Sequence, residues 1–401
     1  MSDAPAGRAG KRRLFTRTYL TMVVLNLLMC LYGQSMMAAL PVMLTGDGYS
    51  EAMAGVAVSL FPFSSMLFRP FGAGLVRRGR HRSVLLVSLG MLCASGVVFP
   101  HLGALPLIYA TRVVQGFAIC LLGITLGASV ARSIPPDRFE EGMGYYSIGI
   151  PAMSFVGPAI SRILVGEIGS ASLMYLLSIL MAMAVVLCVV SGIDNQSQIA
   201  AREEKGRLRW LELASVPASL MLMLSVLAHS SVVSFLPLYA DRCGLTGTVG
   251  FYLAAGVGIL GIRAAVTLFR FTPPEKTALL GGYGTCVACM LLIPYFRGPV
   301  LPVVCGTLYG MSIGLIQPHF IAKALRAAPP DRREAATVTY YIGTDIGYAL
   351  GGILWGLTAQ HLGYGRVFPI PIAIEVLCAA VCVWSWRIRR NAPLQSHSSG
   401  I

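Results

Sequence analysis

The tetrapeptide Pro135-Pro136-Asp137-Arg138 returns as Pro329-Pro330-Asp331-Arg332, 194 residues later. The same offset joins Arg69 to Arg263, Glu140 to Glu334, Tyr146 to Tyr340, Gly149 to Gly343, Gly157 to Gly351 and Gly169 to Gly363. Leu40-Pro41 is matched by Leu236-Pro237 at 196 residues, so the second copy is two residues shorter before Arg263. Pairs in several separate segments at one spacing mark an internal duplication and not a chance tetrapeptide. Each copy is one structural half.

What each half consists of follows from composition. Of 401 residues, 56% are hydrophobic and 12% charged, where soluble domains carry about 45–50% apolar and about 25% charged residues. So few charges cannot cover a water-facing surface, and the solvent of this chain is lipid. Apolar runs long enough to cross a bilayer as helices lie near 19–43, 53–76, 83–101, 104–131, 142–166 and 170–192. Six more lie near 210–239, 248–270, 277–296, 299–326, 335–361 and 367–386. Lipid offers no partner to a free backbone amide, and the runs lack the alternation of barrel strands, so helices are expected. The reading is an all-α membrane protein of twelve transmembrane helices in two six-helix halves. Because the offset spans six helices, an even number, the halves are parallel and related about an axis along the membrane normal.

The net charge of +14 is explained by topology and not by nucleic acid. Of the 31 Lys and Arg, 24 fall in the N-terminal segment, the alternate loops, the central linker and the end of the last run. Only Arg242, Arg297 and Arg366 fall in the opposite loops, and Arg69, Arg112, Arg162 and Arg263 lie within spans. The positive-inside rule therefore puts both termini and the linker in the cytoplasm. The halves are expected at 1–192 and 210–390, joined by a polar cytoplasmic linker over 193–209 and followed by a disordered tail over 391–401. The N-terminus shows no cleavable signal, and its first apolar run is the first span. The ten cysteines lie mostly in apolar helices without clustered His or acid. They read as packing residues, with neither a metal nor a cofactor implied.

Several motifs resemble the major facilitator superfamily. Arg112-Val113-Val114-Gln115-Gly116 matches its R-x-x-Q-G signature in span four, and Gly72, Arg77, Gly79 and Arg80 fit its G-x-x-x-D-R-x-G-R-R loop. In that loop Val76 stands at the acidic position and His81 at the last basic one. Gly149 and Gly157-Pro158 resemble the antiporter motif of span five, with Ser161 in place of its final glycine and Arg162 beyond it. The Pro135–Gly149 and Pro329–Gly352 segments are similar to the bacterial efflux-type branch, in which span eleven carries an aspartate; Asp345 occupies that place. The resemblance implies a secondary transporter of the bacterial inner membrane, acting as a monomer on a small organic molecule, with protons as coupling ion. In the family the loop carboxylate steadies the outward-open state, a role Val76 cannot fill.

Charged residues inside a membrane are expensive and usually face the bundle interior. Arg112 shares a helix face with Gln115, Gly116, Ile119 and Gly123, which suits a substrate anchor, an electrostatic partner of an acid, or a structural charge pair. Asp345 lies near midspan, where a carboxyl is divided between the cost of burying its charge and the pull of a neighbouring arginine. A proton-coupling role and a carboxyl satisfied by packing both fit. Arg69 and Arg263, at equivalent places in spans two and eight, suggest a shared structural or gating role at helix ends, with Gly79, Arg80, Gly157 and Pro158 in the same class. His229 can titrate near physiological pH; it is a candidate for substrate or proton binding, or a packing residue. Asn26, Gln34, Tyr309 and Gln317 are polar groups on spans one and ten, which suit substrate contacts or interhelical hydrogen bonds. Glu375, on the peripheral span twelve, reads as a packed carboxyl.

No G-x-x-x-x-G-K-[ST] phosphate loop occurs, which argues against ATP-driven transport. The chain is expected not to be an enzyme. The leading expectation is proton-coupled export of a drug, siderophore or other metabolite. Uptake or facilitated diffusion of a sugar, organic anion or metal chelate is the alternative, and a membrane enzyme or receptor is less favoured.

Overall fold

Among the described residues, each apolar run read as a span is mainly helical. The computed structural model describes residues 14–76, 81–135, 138–147, 149–191, 211–269, 273–329 and 332–391. The first half comprises α1 (Arg17–Gly46), α2 (Glu51–Val76), α3 (His81–Val98), α4 (Leu105–Ser133), α5 (Phe139–Tyr146), α6 (Gly149–Glu167) and α7 (Ser170–Val190). The second comprises α8 (Val216–Ser230), α9 (Leu236–Cys243), α10 (Thr248–Leu268), α11 (Glu275–Leu292), α12 (Val300–Ala327), α13 (Arg333–Leu357) and α14 (Pro369–Asn391). Span five is covered by α5 and α6. Span seven is α8 and α9 joined by a π-helical turn at Ser231–Phe235, just before Pro237, which has no N–H to give to a regular ladder.

Eleven helical stretches among the described residues are long and apolar enough to cross a membrane. The twelfth expected span is α13, a helix of 25 residues. Its Tyr340, Tyr341, Thr344 and Asp345 dilute its apolar content, which is what a helix facing a polar pathway requires. Large apolar side chains such as Val186, Val257, Leu268 and Val300 point outward, as lipid-facing residues must. The linker over 193–209, Gly79, Arg80 and the tail beyond Asn391 lie outside the described residues.

Packing within the halves repeats: α1 lies on α6 as α8 lies on α13, and α2 lies on α4 as α10 lies on α12. Between the halves, α2 packs on α13, α6 on α10, and α1 on α9 and the π turn. Close approach of α2 and α13 is allowed by Gly55, Gly352 and Gly356. A Cβ on Gly356 would lie 2.6 Å from Glu51 O, and one on Gly55 would overlap Gly352 O. These glycines sit toward the end of the bundle away from the two termini. There the halves are also bound by polar contacts. Arg162 pairs with Asp241, Arg242 reaches Glu51 at 3.9 Å, Tyr364 Oη donates to Glu51 at 2.8 Å, and Ala52 N donates to Gln360 Oε1 at 3.1 Å. That end is closed.

Candidate substrate and coupling site

Deeper along the same α2–α13 seam, Arg69 of the first half forms an ion pair with Asp345 of the second. The residues are 276 apart in sequence. Their side chains keep 17% and 16% of their surface exposed, enough for water or a ligand to reach them and too little for water to screen them fully. The Arg69 guanidinium also lies over the Tyr341 ring, 5.5 Å from its centroid. Tyr341, Asp345 and Tyr348 follow at i, i+4 and i+7, so one face of α13 presents all three. Tyr340 stands edge-on to Tyr341 with centroids 5.4 Å apart, and Arg263 of α10 lies within electrostatic reach of Tyr340. A mostly buried ion pair joining two bodies that must move relative to each other can hold them together, and can release them when one partner is neutralised or replaced.

Arg112 sits elsewhere. It is fully buried among α1 to α4: Nε donates to Ala57 O at 3.1 Å, Nη1 donates to Gln115 Oε1 at 2.7 Å, and Phe61 covers the guanidinium at 4.6 Å. Gln115 Nε2 in turn donates to Tyr32 Oη at 2.9 Å and Ser95 Oγ at 3.2 Å. Among the described residues Arg112 Nη2 has no hydrogen-bond partner. The signature residues therefore form a network inside the first half, apart from Asp345.

The second half holds a separate cluster. His229 Nδ1 lies 2.9 Å from Tyr309 Oη, and the two rings stack with centroids 5.7 Å apart. Phe155 of the first half stands edge-on to both rings. His229 Nε2 is buried without a hydrogen-bond partner among the described residues, as are both carboxyl oxygens of Glu375. Gln317 is half-buried on α12 and is not drawn into this cluster.

On α1, Asn26 Nδ2 donates to Tyr146 O at 3.0 Å and so ties the helix to the end of α5. Gln34 lies where Gly157 meets α1: a Cβ on Gly157 would be 2.7 Å from Ser35 N and 2.9 Å from Gln34 Cβ. Ser161 Oγ donates to Ser35 O at 2.8 Å, so the departure from the antiporter motif adds a tie between α1 and α6. The Gly157-Pro158 step is thus a close helix crossing. The Arg69–Asp345 pair and the Arg162, Asp241, Glu51 and Arg242 contacts were not joined by sequence reasoning. The available signal was opposite charge in spans that the parallel-half arrangement makes neighbours.

Two parallel six-span halves around a seam carrying charged residues define a polytopic membrane transporter. A model of the Major Facilitator Superfamily matches residues 22–342, and the chain belongs to that family, whose members are transporters and not enzymes. It is 19% identical over 340 residues to a staphylopine export protein of Staphylococcus aureus, covering 80% of this chain and 84% of the relative. It is 24% identical over 379 residues to multidrug resistance protein MdtG of Escherichia coli, covering 88% and 89%. Among solved structures it resembles nucleoside transporter NupG, with a TM-score of 0.67 at 14% identity over 93% of this chain and 100% of that one. It also resembles a peptide transporter POT, with a TM-score of 0.69 at 12% identity over 93% and 96%. At such identities the structures speak for the fold alone.

Proposed function

We propose that this chain exports a small organic compound in exchange for protons, with Asp345 as the proton-carrying group. The observation that carries the reading is the Arg69–Asp345 pair across the halves. Protonation of Asp345 removes the attraction that holds α2 to α13, and a substrate group that takes one partner does the same, so both ligands act on the contact that must change during alternating access. The export direction is supported by the efflux proteins among the relatives and by the Gly157-Pro158 step. Arg112 and Gln115 fix the wall of the first half, while Asn26, Gln34, Tyr309, Gln317 and His229 supply polar groups around the pathway. With both termini and the linker in the cytoplasm, the closed end faces outward and the seam is reached from inside. The chain works as a monomer in the cytoplasmic membrane.

Purified protein in liposomes with an imposed pH gradient, screened over metabolites, drugs and metal chelates, tests the reading. Substrate-dependent proton flux opposite in direction to substrate movement is expected. Uphill transport that leaves the pH gradient untouched contradicts it. A reporter fused after Arg390 is expected to be active only in the cytoplasm.

A further inference from the structure

The duplication gives the bundle two equivalent seams between its halves, α2 on α13 and α10 on α6. At the closed end the first is zipped shut, with Gly356 against Glu51 O and Gly55. Arg162 stands 194 residues before Gly356, and there the second seam opens into a cavity of about 550 Å3. Small-molecule sites span about 300–1,000 Å3. The walls come from both halves: Ala38 and Val42 of α1 and Val165 of α6 on one side, Pro237 of α9 and Val249 of α10 on the other.

Three charged residues line the same cavity: Arg162, Glu167 and Asp241. Arg162 is paired with Asp241, and the adjacent Arg242 is directed to Glu51 and the Tyr364 ring. Glu167 has neither a hydrogen bond nor an ion pair among the described residues. The cavity therefore holds two carboxylates and one cation. This surplus is not inherited from the duplication, because His361 stands 194 residues after Glu167 and Thr45 stands 196 before Asp241.

The surplus acid sets the sign of the occupant. An anion meets net negative charge, whereas a cation reaches Glu167 without parting Arg162 from Asp241. The walls set its chemistry. They are aliphatic, and the hydroxyl of Ser161 is committed to Ser35 O and Gly157 O. A metal ion or a primary ammonium would lose water there without replacement, and the described residues contain no group of three His, Cys, Asp or Glu able to hold a metal. A cation whose charge is covered by carbon has no such loss. We infer that this cavity binds a lipophilic monocation, a quaternary ammonium or phosphonium, with its charge at Glu167 and its carbon on the aliphatic walls. Because those walls belong to both halves, the occupant favours the closed state of that end.

Tetraphenylphosphonium and tetraphenylborate share one shape and differ in the sign of their charge. Each is titrated against the full-length protein in nanodiscs, with binding to empty nanodiscs subtracted. No gradient is applied and both ends are accessible, so the result is independent of coupling, direction and topology. The phosphonium is expected to bind at least about fivefold more tightly than the borate. Glu167 is exposed, so its variants keep the parent's fold. Glu167→Gln is expected to weaken phosphonium binding about fivefold, and Glu167→Lys to reverse the order of the two ions. Val249→Trp, which fills the cavity, is expected to remove binding of both. In Arg162→Asp, where three acids line the cavity, added phosphonium is expected to shorten spin-label distances across the closed end. Equal binding of the two ions, or phosphonium binding that survives Glu167→Lys and Val249→Trp unchanged, overturns the site. Unaltered distances in Arg162→Asp overturn its preference for the closed state.

Discussion

Gly116 in the first half and Gly310 in the second are 194 residues apart, and each is pressed onto the neighbouring helix at equivalent points. A Cβ on Gly116 would overlap Phe61 O, and one on Gly310 would overlap Ala255 O; Phe61 and Ala255 are themselves 194 apart. Around this shared contact the polar groups differ. The first half carries the buried Arg112–Gln115–Tyr32–Ser95 network, whereas the second has Tyr309 at the place of Gln115, bonded to His229. Backbone packing was kept through the duplication while buried polarity was redistributed. Small residues at the crossings are demanded twice because both halves must pack; the buried charge of Arg112 is matched on the other side by the uncharged Tyr309–His229 contact.

The largest expected effect tests the shared part. Gly116→Val and Gly310→Val each force atoms into a helix crossing with no room, and overpacking of this kind is worth about 3 kcal/mol. Both variants are expected to lose most folded protein, measured by monodisperse yield and thermal midpoint. Gly123→Ala, whose Cβ meets nothing closer than 3.9 Å, is expected to be neutral. If only one of the two crossings is intolerant, the halves are not equivalent in packing.

A smaller effect addresses the part that differs. Arg112→Lys retains a cation but cannot hold Ala57 O and Gln115 Oε1 with one planar fork. About 1–3 kcal/mol of stability is expected to be lost as those acceptors go unsatisfied, with transport reduced and the pH dependence of coupling unchanged. A shifted pH dependence would instead tie Arg112 to the proton site.

The smallest effect concerns the closed end. Arg162 and Asp241 are 24% and 38% exposed, and exposed pairs contribute only about 0.2–1 kcal/mol. Arg162→Asp is expected to shift a minority of molecules toward an opened outer end, seen as longer spin-label distances across it. Arg162→Asp/Asp241→Arg is expected to restore the parent distribution. A double variant no closer to the parent than the single one would show that the pair does not hold that end.

The fold was legible because lipid imposes one rule on every span, and because Pro-Pro-Asp-Arg and its companions repeat at one offset. The π turn of span seven was not legible, since Ser231–Phe235 lies in sequence that a regular helix would also accept. At the seam, sequence singled out Arg69 and Asp345 separately but could not join residues 276 positions apart. Arg69 drew attention through its twin Arg263, and that symmetry pointed to helix ends. The tertiary neighbour that distinguishes it, Asp345, has only Pro151 at the equivalent place. At the closed end Arg242 was read as a loop charge and Arg162 as a charge within a span, while Asp241 and Glu51 drew no reading, because a charge at a helix terminus is ordinarily solvated.

Proton coupling is tested most directly at the carboxyl of Asp345. Asp345→Asn keeps the size and most hydrogen-bonding capacity of the side chain while removing its titration. The variant is assayed in liposomes for accumulation driven by a pH gradient and for substrate exchange without one. Loss of gradient-driven accumulation with exchange retained is the expected result. Full uphill transport with unchanged pH dependence would contradict it, leaving Asp345 a structural tie to Arg69 and moving the search for the proton site to His229.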